Sequence, residues 1–315
     1  MMISISDIEA ARARITPHIR HTPTMLVTAT KDDLPIRAKV TLKLESLQVT
    51  GSFKARGAMN RLLGATGQDL SKGIVTASGG NHGLAVARTA YAANTSATIF
   101  LPSNVAPSKL TKLKKWNASA EIVGDVWDAA NAAALDFAKS TGAVYFHPFA
   151  DPLVVAGQGT LGLEMLDDMD DIDTVLIAIG GGGLIAGVST AIKARRPDIR
   201  VVGIAPTGCP TFKASLDAGH AVTLPQITTK VATMACRKAD PAIFDIVRSN
   251  ISDIILVSDE EMDAASKWLW FETGIAADLS GAASIAALRS GHPALANTSS
   301  VCALICGAGP EGTGD

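Results

Sequence analysis

The run Thr174-Val175-Leu176-Ile177-Ala178-Ile179-Gly180-Gly181-Gly182-Gly183-Leu184-Ile185-Ala186-Gly187 sets the fold class. Val175 to Ile179 is apolar at odd and even positions alike, the pattern of a strand covered on both faces. Four glycines follow, and a helix opens beyond them. A strand, a tight glycine turn and a helix make one unit of a parallel sheet. Successive glycines also let backbone N–H groups approach an anion, and a helix N-terminus favours negative charge there. Two ligands compete for such a turn. Gly181-x-Gly183-x-x-Ala186 matches the loose dinucleotide fingerprint, which needs an acidic residue at the end of the next strand to hold a ribose. That strand ends Gly203-Ile204-Ala205-Pro206, with no acid. A single phosphate is therefore the better reading.

The alternation extends along the chain in both directions. Further strands are predicted at 40–44, 73–77, 97–101, 121–123, 143–146, 201–204, 254–257 and 301–305. Helices are predicted at 57–63, 109–116, 127–140, 260–271 and 281–288. At the N-terminus, Ser6 and Glu9 have capping-box spacing, Ile8, Ala11 and Ile15 share one face, and Pro17 and Pro23 close the helix. This order predicts an α/β fold with parallel sheets and helices on both faces. Pro148-Phe149-Ala150-Asp151-Pro152 interrupts it. Two lobes are expected, a large one of 1–46 plus 147–315 and a small one of 47–146, with the ligand site in the cleft between them.

Composition narrows the function classes. Of 315 residues, 47% are hydrophobic and 18% charged, as in a well-buried globular chain. The formal net charge of −2, with no basic stripe, gives no reason to expect a nucleic-acid partner. The longest apolar stretch, 175–188, is broken by glycines and too short to span a bilayer, so no membrane association is expected. Met1 to Asp7 has neither a basic n-region nor an apolar h-region, which argues against secretion. Cys209, Cys236, Cys302 and Cys306 form no Cys-x-x-Cys pair and no disulfide framework, so a cytoplasmic location is expected.

Two other runs carry chemistry. Thr50-Gly51-Ser52-Phe53-Lys54-Ala55-Arg56-Gly57-Ala58 sets Lys54 between an aromatic and a small residue, with no acidic partner in the run. A lysine ordinarily holds its proton up to a pKa of about 10.4. Desolvation lowers that value and frees the amine to form a Schiff base. The competing reading is an exposed lysine at a helix start. Ser78-Gly79-Gly80-Asn81-His82-Gly83 follows a predicted strand, and its N–H groups suit a carboxylate. Asn81 can donate a hydrogen bond without titrating. His82 is either a general base or a cap for the following helix. A nucleophilic lysine together with a single-phosphate turn points to pyridoxal phosphate as the cofactor.

In this order the three runs resemble the fold type II pyridoxal-phosphate enzymes, whose two-lobed, parallel-sheet fold is tryptophan-synthase-β-like, and most closely the serine/threonine dehydratase group. The resemblance covers almost the whole chain. It includes Lys43-x-Glu45-x-x-Gln48-x-Thr50, His147-Pro148-Phe149 and Gly157-Gln158-Gly159-Thr160. It implies that Lys54 carries the Schiff base and moves the substrate's α-proton, that Phe53 packs on the cofactor ring, and that Asn81 bonds the ring hydroxyl. It implies that Gly180, Gly181, Gly182, Gly183 and Leu184 hold the phosphate, and that Ser78, Gly79, Gly80, Asn81 and His82 take the substrate carboxylate. Cys306, in Leu304-Ile305-Cys306-Gly307, matches the residue facing the ring nitrogen. Without the resemblance, Cys306 reads as a small buried strand residue. A thiol, with a reference pKa of about 8.5, is mainly uncharged near neutrality and does not hold a protonated ring as an aspartate would. That favours early loss of a β-leaving group.

The activity implied is that of a PLP-dependent ammonia-lyase, converting a β-hydroxy amino acid of the serine/threonine type to a 2-oxo acid and ammonia. A homo-oligomer is implied as well. Racemase members carry a serine two residues before the asparagine; that position is Gly79, so elimination is preferred to racemisation. Three segments depart from the pattern. Ala205-Pro206 stands where relatives carry Glu-Pro, so no divalent metal is expected there. Val231-Ala232-Thr233-Met234 replaces Ala-Asp-Gly on the cofactor's far side, and Asp278-Leu279-Ser280-Gly281-Ala282 replaces Glu-Pro-Ser-Gly-Ala. These changes leave open a different β-hydroxy amino acid, a compatible-solute (hydroxyectoine-type) breakdown intermediate, or a non-catalytic cofactor-binding sensor. The end of the chain soon after Cys306 predicts no C-terminal regulatory domain.

Overall fold

The computed structural model describes residues 3–314 apart from 66, 79, 104, 106 and 126, and of 107 and 108 the backbone alone. Helix α1 (Ile5–Ile15) buries Ile8, Ala11 and Ile15, as their spacing predicts. Its cap lies two residues earlier than expected. The Asp7 N–H donates to the Ser4 hydroxyl, and the Ser4 N–H donates to the Asp7 carboxylate at 2.8 Å. The earlier start lets Ile5 join Ile8 and Ala11 against Ala156, Leu163 and Ala191.

The chain continues through β1 (Thr24–Leu26), β2 (Lys39–Lys43), α2 (Lys54–Gly64), β3 (Ile74–Ala77), α3 (Asn81–Ala92), β4 (Ala97–Leu101), α4 (Pro107–Lys115), β5 (Ser119–Ile122), α5 (Trp127–Thr141) and β6 (Val144–Tyr145). Then come α6 (Pro152–Asp168), β7 (Thr174–Ala178), α7 (Gly183–Arg195), β8 (Arg200–Pro206), α8 (Thr211–Ala218), α9 (Pro241–Asn250), β9 (Asp253–Val257), α10 (Asp259–Thr273), α11 (Leu279–Arg289) and β10 (Ser300–Leu304).

Two sheets result, ordered β1-β2-β10-β7-β8-β9 and β5-β4-β3-β6. Their pairings are parallel except that β1 runs antiparallel to β2. The expectation of parallel pairing fails at this edge because residues 27–38 carry no helix to make a parallel crossover. Strand β7 is buried along its whole length, with α7 and α11 packed on it. In the smaller sheet β3 lies between β4 and β6 and meets α3 and α5.

Helix α6 escapes the sequence reading because Gly157, Gly159 and Gly162 lower its intrinsic helicity. Packing explains them. A β-carbon on Gly157 would lie 2.7 Å from Gly57 of α2, and one on Gly162 would lie 2.8 Å from the Val188 carbonyl of α7. The glycines thus let three helices approach closely. No helix among the described residues is long and apolar enough to cross a membrane.

Candidate active site

Loops leaving the C-terminal ends of parallel strands meet at one place, the usual position for a ligand in such sheets. Lys54 lies beyond β2, Ser78 to His82 beyond β3, Gly180 to Gly183 beyond β7, and Cys306 beyond β10. Cross-links hold them together. The Phe53 N–H donates to the Cys306 carbonyl at 3.2 Å, and Ser52 bridges to Gly307. Asn81 Nδ2 donates to Asp278 Oδ2 at 2.8 Å, joining α3 to the start of α11.

Lys54 opens α2, and its Nζ donates to the Pro148 carbonyl at 2.7 Å. The amine stands 5.1 Å from the centre of the Phe53 ring. The residue as a whole is half-buried, yet its amine is enclosed deeply enough that burial draws the pKa down to about 8, against the smaller upward pull of Cys306 and Cys236. The folded chain sheds this proton before the unfolded chain does, so the folded state gains stability as pH rises from about 8 towards 10.5. Competitive labelling of the apoprotein with acetic anhydride should give Lys54 a midpoint of about 8. A midpoint near 10.4, the ordinary lysine value of about that size, would mean the amine is open to water.

The glycine turn fits a phosphate. Gly182 has φ +82°, a left-handed conformation that glycine adopts without strain. A β-carbon on Gly181 would lie 2.3 Å from the Phe149 ring, and one on Gly182 would lie 2.4 Å from Phe212. The turn is pressed onto these two rings. The first-turn amides of α7, including that of buried Leu184, have no acceptor within the helix and carry its positive dipole end. A glycine cradle for an anion, beside an enclosed amine with no carboxylate contact, is what the phosphate and aldehyde of pyridoxal phosphate require.

Cys306 is buried, with Sγ 3.4 Å from the Ser280 carbonyl and 3.9 Å from its hydroxyl. Burial, and then the charge of Asp278, push its thiol well above the ordinary range, so it stays uncharged. Ser78 Oγ accepts the Gly80 N–H at 3.3 Å. Gly79 lies outside the described residues.

His82 is not a cap. Helix α3 starts at Asn81 with Gly80 as its N-cap, so His82 falls inside the first turn and faces the sheet. It is 2% exposed, its Nε2 is 3.2 Å from the Phe146 carbonyl, and its Nδ1 has no partner among the described residues. Burial, followed by the charge of Lys54, drives its pKa far down and leaves it neutral.

Other residues at the site carry no local sequence signal, or only a motif. His147 Nδ1 accepts the N–H groups of Phe149 and Ala150 at 3.2 and 2.8 Å, which shapes the turn that offers the Pro148 carbonyl to Lys54. Asp278, the partner of Asn81, also caps α11 by accepting the Gly281 N–H at 2.7 Å. Cys236 comes close enough to Lys54 to affect its protonation.

Beneath α2 runs a buried charge network. Arg56 donates to Glu45 through Nε at 2.8 Å and Nη2 at 2.7 Å, and its Nη1 lies 2.9 Å from Glu164 Oε2. Lys43 Nζ bonds Glu164 and Asp168, each at 2.7 Å, and the Thr22 carbonyl at 2.6 Å. His21, Glu164 and Asp168 bring ligand atoms within 4.8 Å of one another, but the Lys43 ammonium already holds the cationic place between the two carboxylates.

Known proteins resemble the chain along nearly all its length. It is 36% identical over 287 residues to L-threonine ammonia-lyase of Thermotoga maritima, covering 91% of this chain and 71% of the other. A catabolic L-threonine dehydratase of Staphylococcus aureus is 35% identical over 292 residues, which is 92% of this chain and 84% of its own. Maize serine racemase superposes with a TM-score of 0.91 at 31% identity, over 98% of this chain and 94% of that one. The family described as pyridoxal-phosphate dependent enzyme matches residues 15–307, and the chain belongs to it.

Proposed function

We propose that this fold type II enzyme is an ammonia-lyase acting on a small β-hydroxy amino acid, with threonine and serine as the default substrates. The observation that carries this reading is the Lys54 amine: enclosed, anchored on a neutral carbonyl, and poised near pH 8. When bound, pyridoxal phosphate supplies the aldehyde that takes the substrate's amine and the conjugated ring that draws electrons from the α-carbon. The chain's own residues do the rest. Lys54 Nζ takes the α-proton as a base whose pKa suits neutral to mildly alkaline pH. The turn 180–184 binds the anionic end of the cofactor, and the first-turn amides of α3, at Asn81 and His82, bind a carboxylate. Asn81, fixed by Asp278, presents a non-titrating group to the ring. Uncharged Cys306 adds no negative charge beside it.

The substrate loses its α-proton and β-hydroxyl as one water. Hydrolysis of the resulting enamine returns that water and releases ammonia, so the net products are a 2-oxo acid and ammonia. Racemisation would need a second proton donor, and Gly79 brings no side chain to supply one. The lobes are taken as 1–46 plus 147–315 and 47–146, in a cytoplasmic homo-oligomer.

The test is ammonia release by the purified holoenzyme from a panel of β-hydroxy amino acids. Threonine or serine should yield equal amounts of ammonia and 2-oxo acid. Inversion at the α-carbon outpacing ammonia would indicate a racemase, and spectral binding without either product a sensor.

A further inference from the structure

The segment Val231 to Met234 sits against both glycine loops. It is a tight turn, closed by the Met234 N–H donating to the Val231 carbonyl at 2.9 Å. Val231 and Met234 are plugged into the core of the larger sheet, while Ala232 and Thr233 at the tip are exposed. The approach to the turn is clamped. Thr229 Oγ1 and the Lys230 N–H donate to Asp259 at 2.5 and 2.6 Å, and the Thr228 N–H donates to the Gly208 carbonyl at 2.9 Å. A rigid base therefore carries a two-residue tip.

The tip points to the place where the substrate must lie. The Thr233 methyl is 3.4 Å from where a β-carbon on Gly80 would stand, beside the carboxylate loop. The Thr233 carbonyl is 2.8 Å from the corresponding position on Gly180, at the head of the phosphate turn. Three residues beyond Thr233, Cys236 comes close enough to Lys54 to affect its protonation. Among the described residues the Thr233 hydroxyl has no hydrogen-bond partner. An exposed threonine between the carboxylate loop at Gly80 and the phosphate turn at Gly180, with its hydroxyl free among the described residues, is placed to touch a bound substrate.

We propose that Thr233 is a specificity-determining residue, the wall against which the substrate's β-substituent rests, selecting uncharged hydroxyl-bearing side chains. The inference rests on the lyase reading above. The hydroxyl of Thr233 pairs with the β-hydroxyl, its methyl limits the space beyond, and the tip offers no carboxylate for a β-ammonium group. A lost methyl contact changes discrimination by roughly 10- to 200-fold, and a lost polar partner by more.

The experiment compares Thr233→Val, Thr233→Ser and Thr233→Asp with the wild-type holoenzyme. Substrates are L-threonine, L-serine and L-2,3-diaminopropionate. Thr233→Val should lower kcat/KM for both hydroxy substrates by about tenfold or more. Thr233→Ser should change the threonine-to-serine ratio of kcat/KM by about tenfold, and Thr233→Asp should raise diaminopropionate relative to threonine by at least about tenfold. Dissociation constants for the same amino acids, read from the cofactor absorbance, should change in parallel. Ratios and constants all within about threefold of wild type, with the absorbance band intact, overturn the proposal. Should the wild type release no ammonia, the lyase reading fails, and the dissociation constants alone still decide whether Thr233 discriminates.

Discussion

Lys54→Ala abolishes ammonia release, with a fall of more than about 10⁴-fold, and removes the absorbance band of the bound cofactor. Three properties of the residue converge on this result. The amine is the group held by the Pro148 carbonyl at the centre of the converging loops. Burial keeps enough of it unprotonated near neutrality to act as nucleophile and base. Its titratable neighbours do not substitute for it: His82 is buried and neutral, and burial keeps the Cys306 and Cys236 thiols uncharged. The truncation leaves the fold intact, because it removes a buried amine and no carboxylate is left unpaired. Thermal unfolding of the apoprotein therefore remains cooperative. Retained turnover would remove Lys54 from the chemistry.

Arg56→Met unfolds the protein more readily, by about 3–5 kcal/mol. Arg56 is 1% exposed and Glu45 0%, and the guanidinium faces both Glu45 and Glu164. Methionine keeps much of the volume but leaves two buried carboxylates short of a cation. The pH dependence has a definite sign. Burial raises the Glu164 pKa, but Arg56 and Lys43 outweigh it and hold the group at about 2, below its ordinary 4.5. That stabilisation is complete above pH 4.5 and is lost as pH falls towards about 2. In Arg56→Met the acid loss begins at higher pH. Urea denaturation at pH 7 and pH 4 measures both effects. Lys267→Met breaks a pair exposed on both sides and costs less than about 1 kcal/mol. An Arg56→Met cost no larger than that would show the network to be open to water.

The sequence makes some of this legible for physical reasons. Strand β7 and its glycine turn can be read because burial on both faces leaves an unbroken apolar run and because two aromatic rings exclude any β-carbon from Gly181 and Gly182. Lys54 is recognisable from its run, but not its low pKa, which depends on enclosure by segments far along the chain. The Asn81–Asp278 bond joins residues 197 positions apart and leaves no local trace. His82 misleads because its neighbours are loop glycines, whereas the helix starts one residue earlier and turns the ring into the core. The antiparallel β1 follows from a connection without a crossover helix, and the glycine-bearing α6 is decided by its packing partners, which override local propensity.

Borohydride reduction of the holoenzyme, followed by proteolysis and mass spectrometry, locates the covalent attachment of the cofactor. The phosphopyridoxyl group is expected on the peptide containing Ser52-Phe53-Lys54-Ala55-Arg56, at Lys54 alone. Attachment at any other lysine, or recovery of the reduced protein with no labelled peptide, would contradict the assignment of Lys54 as the residue that binds it.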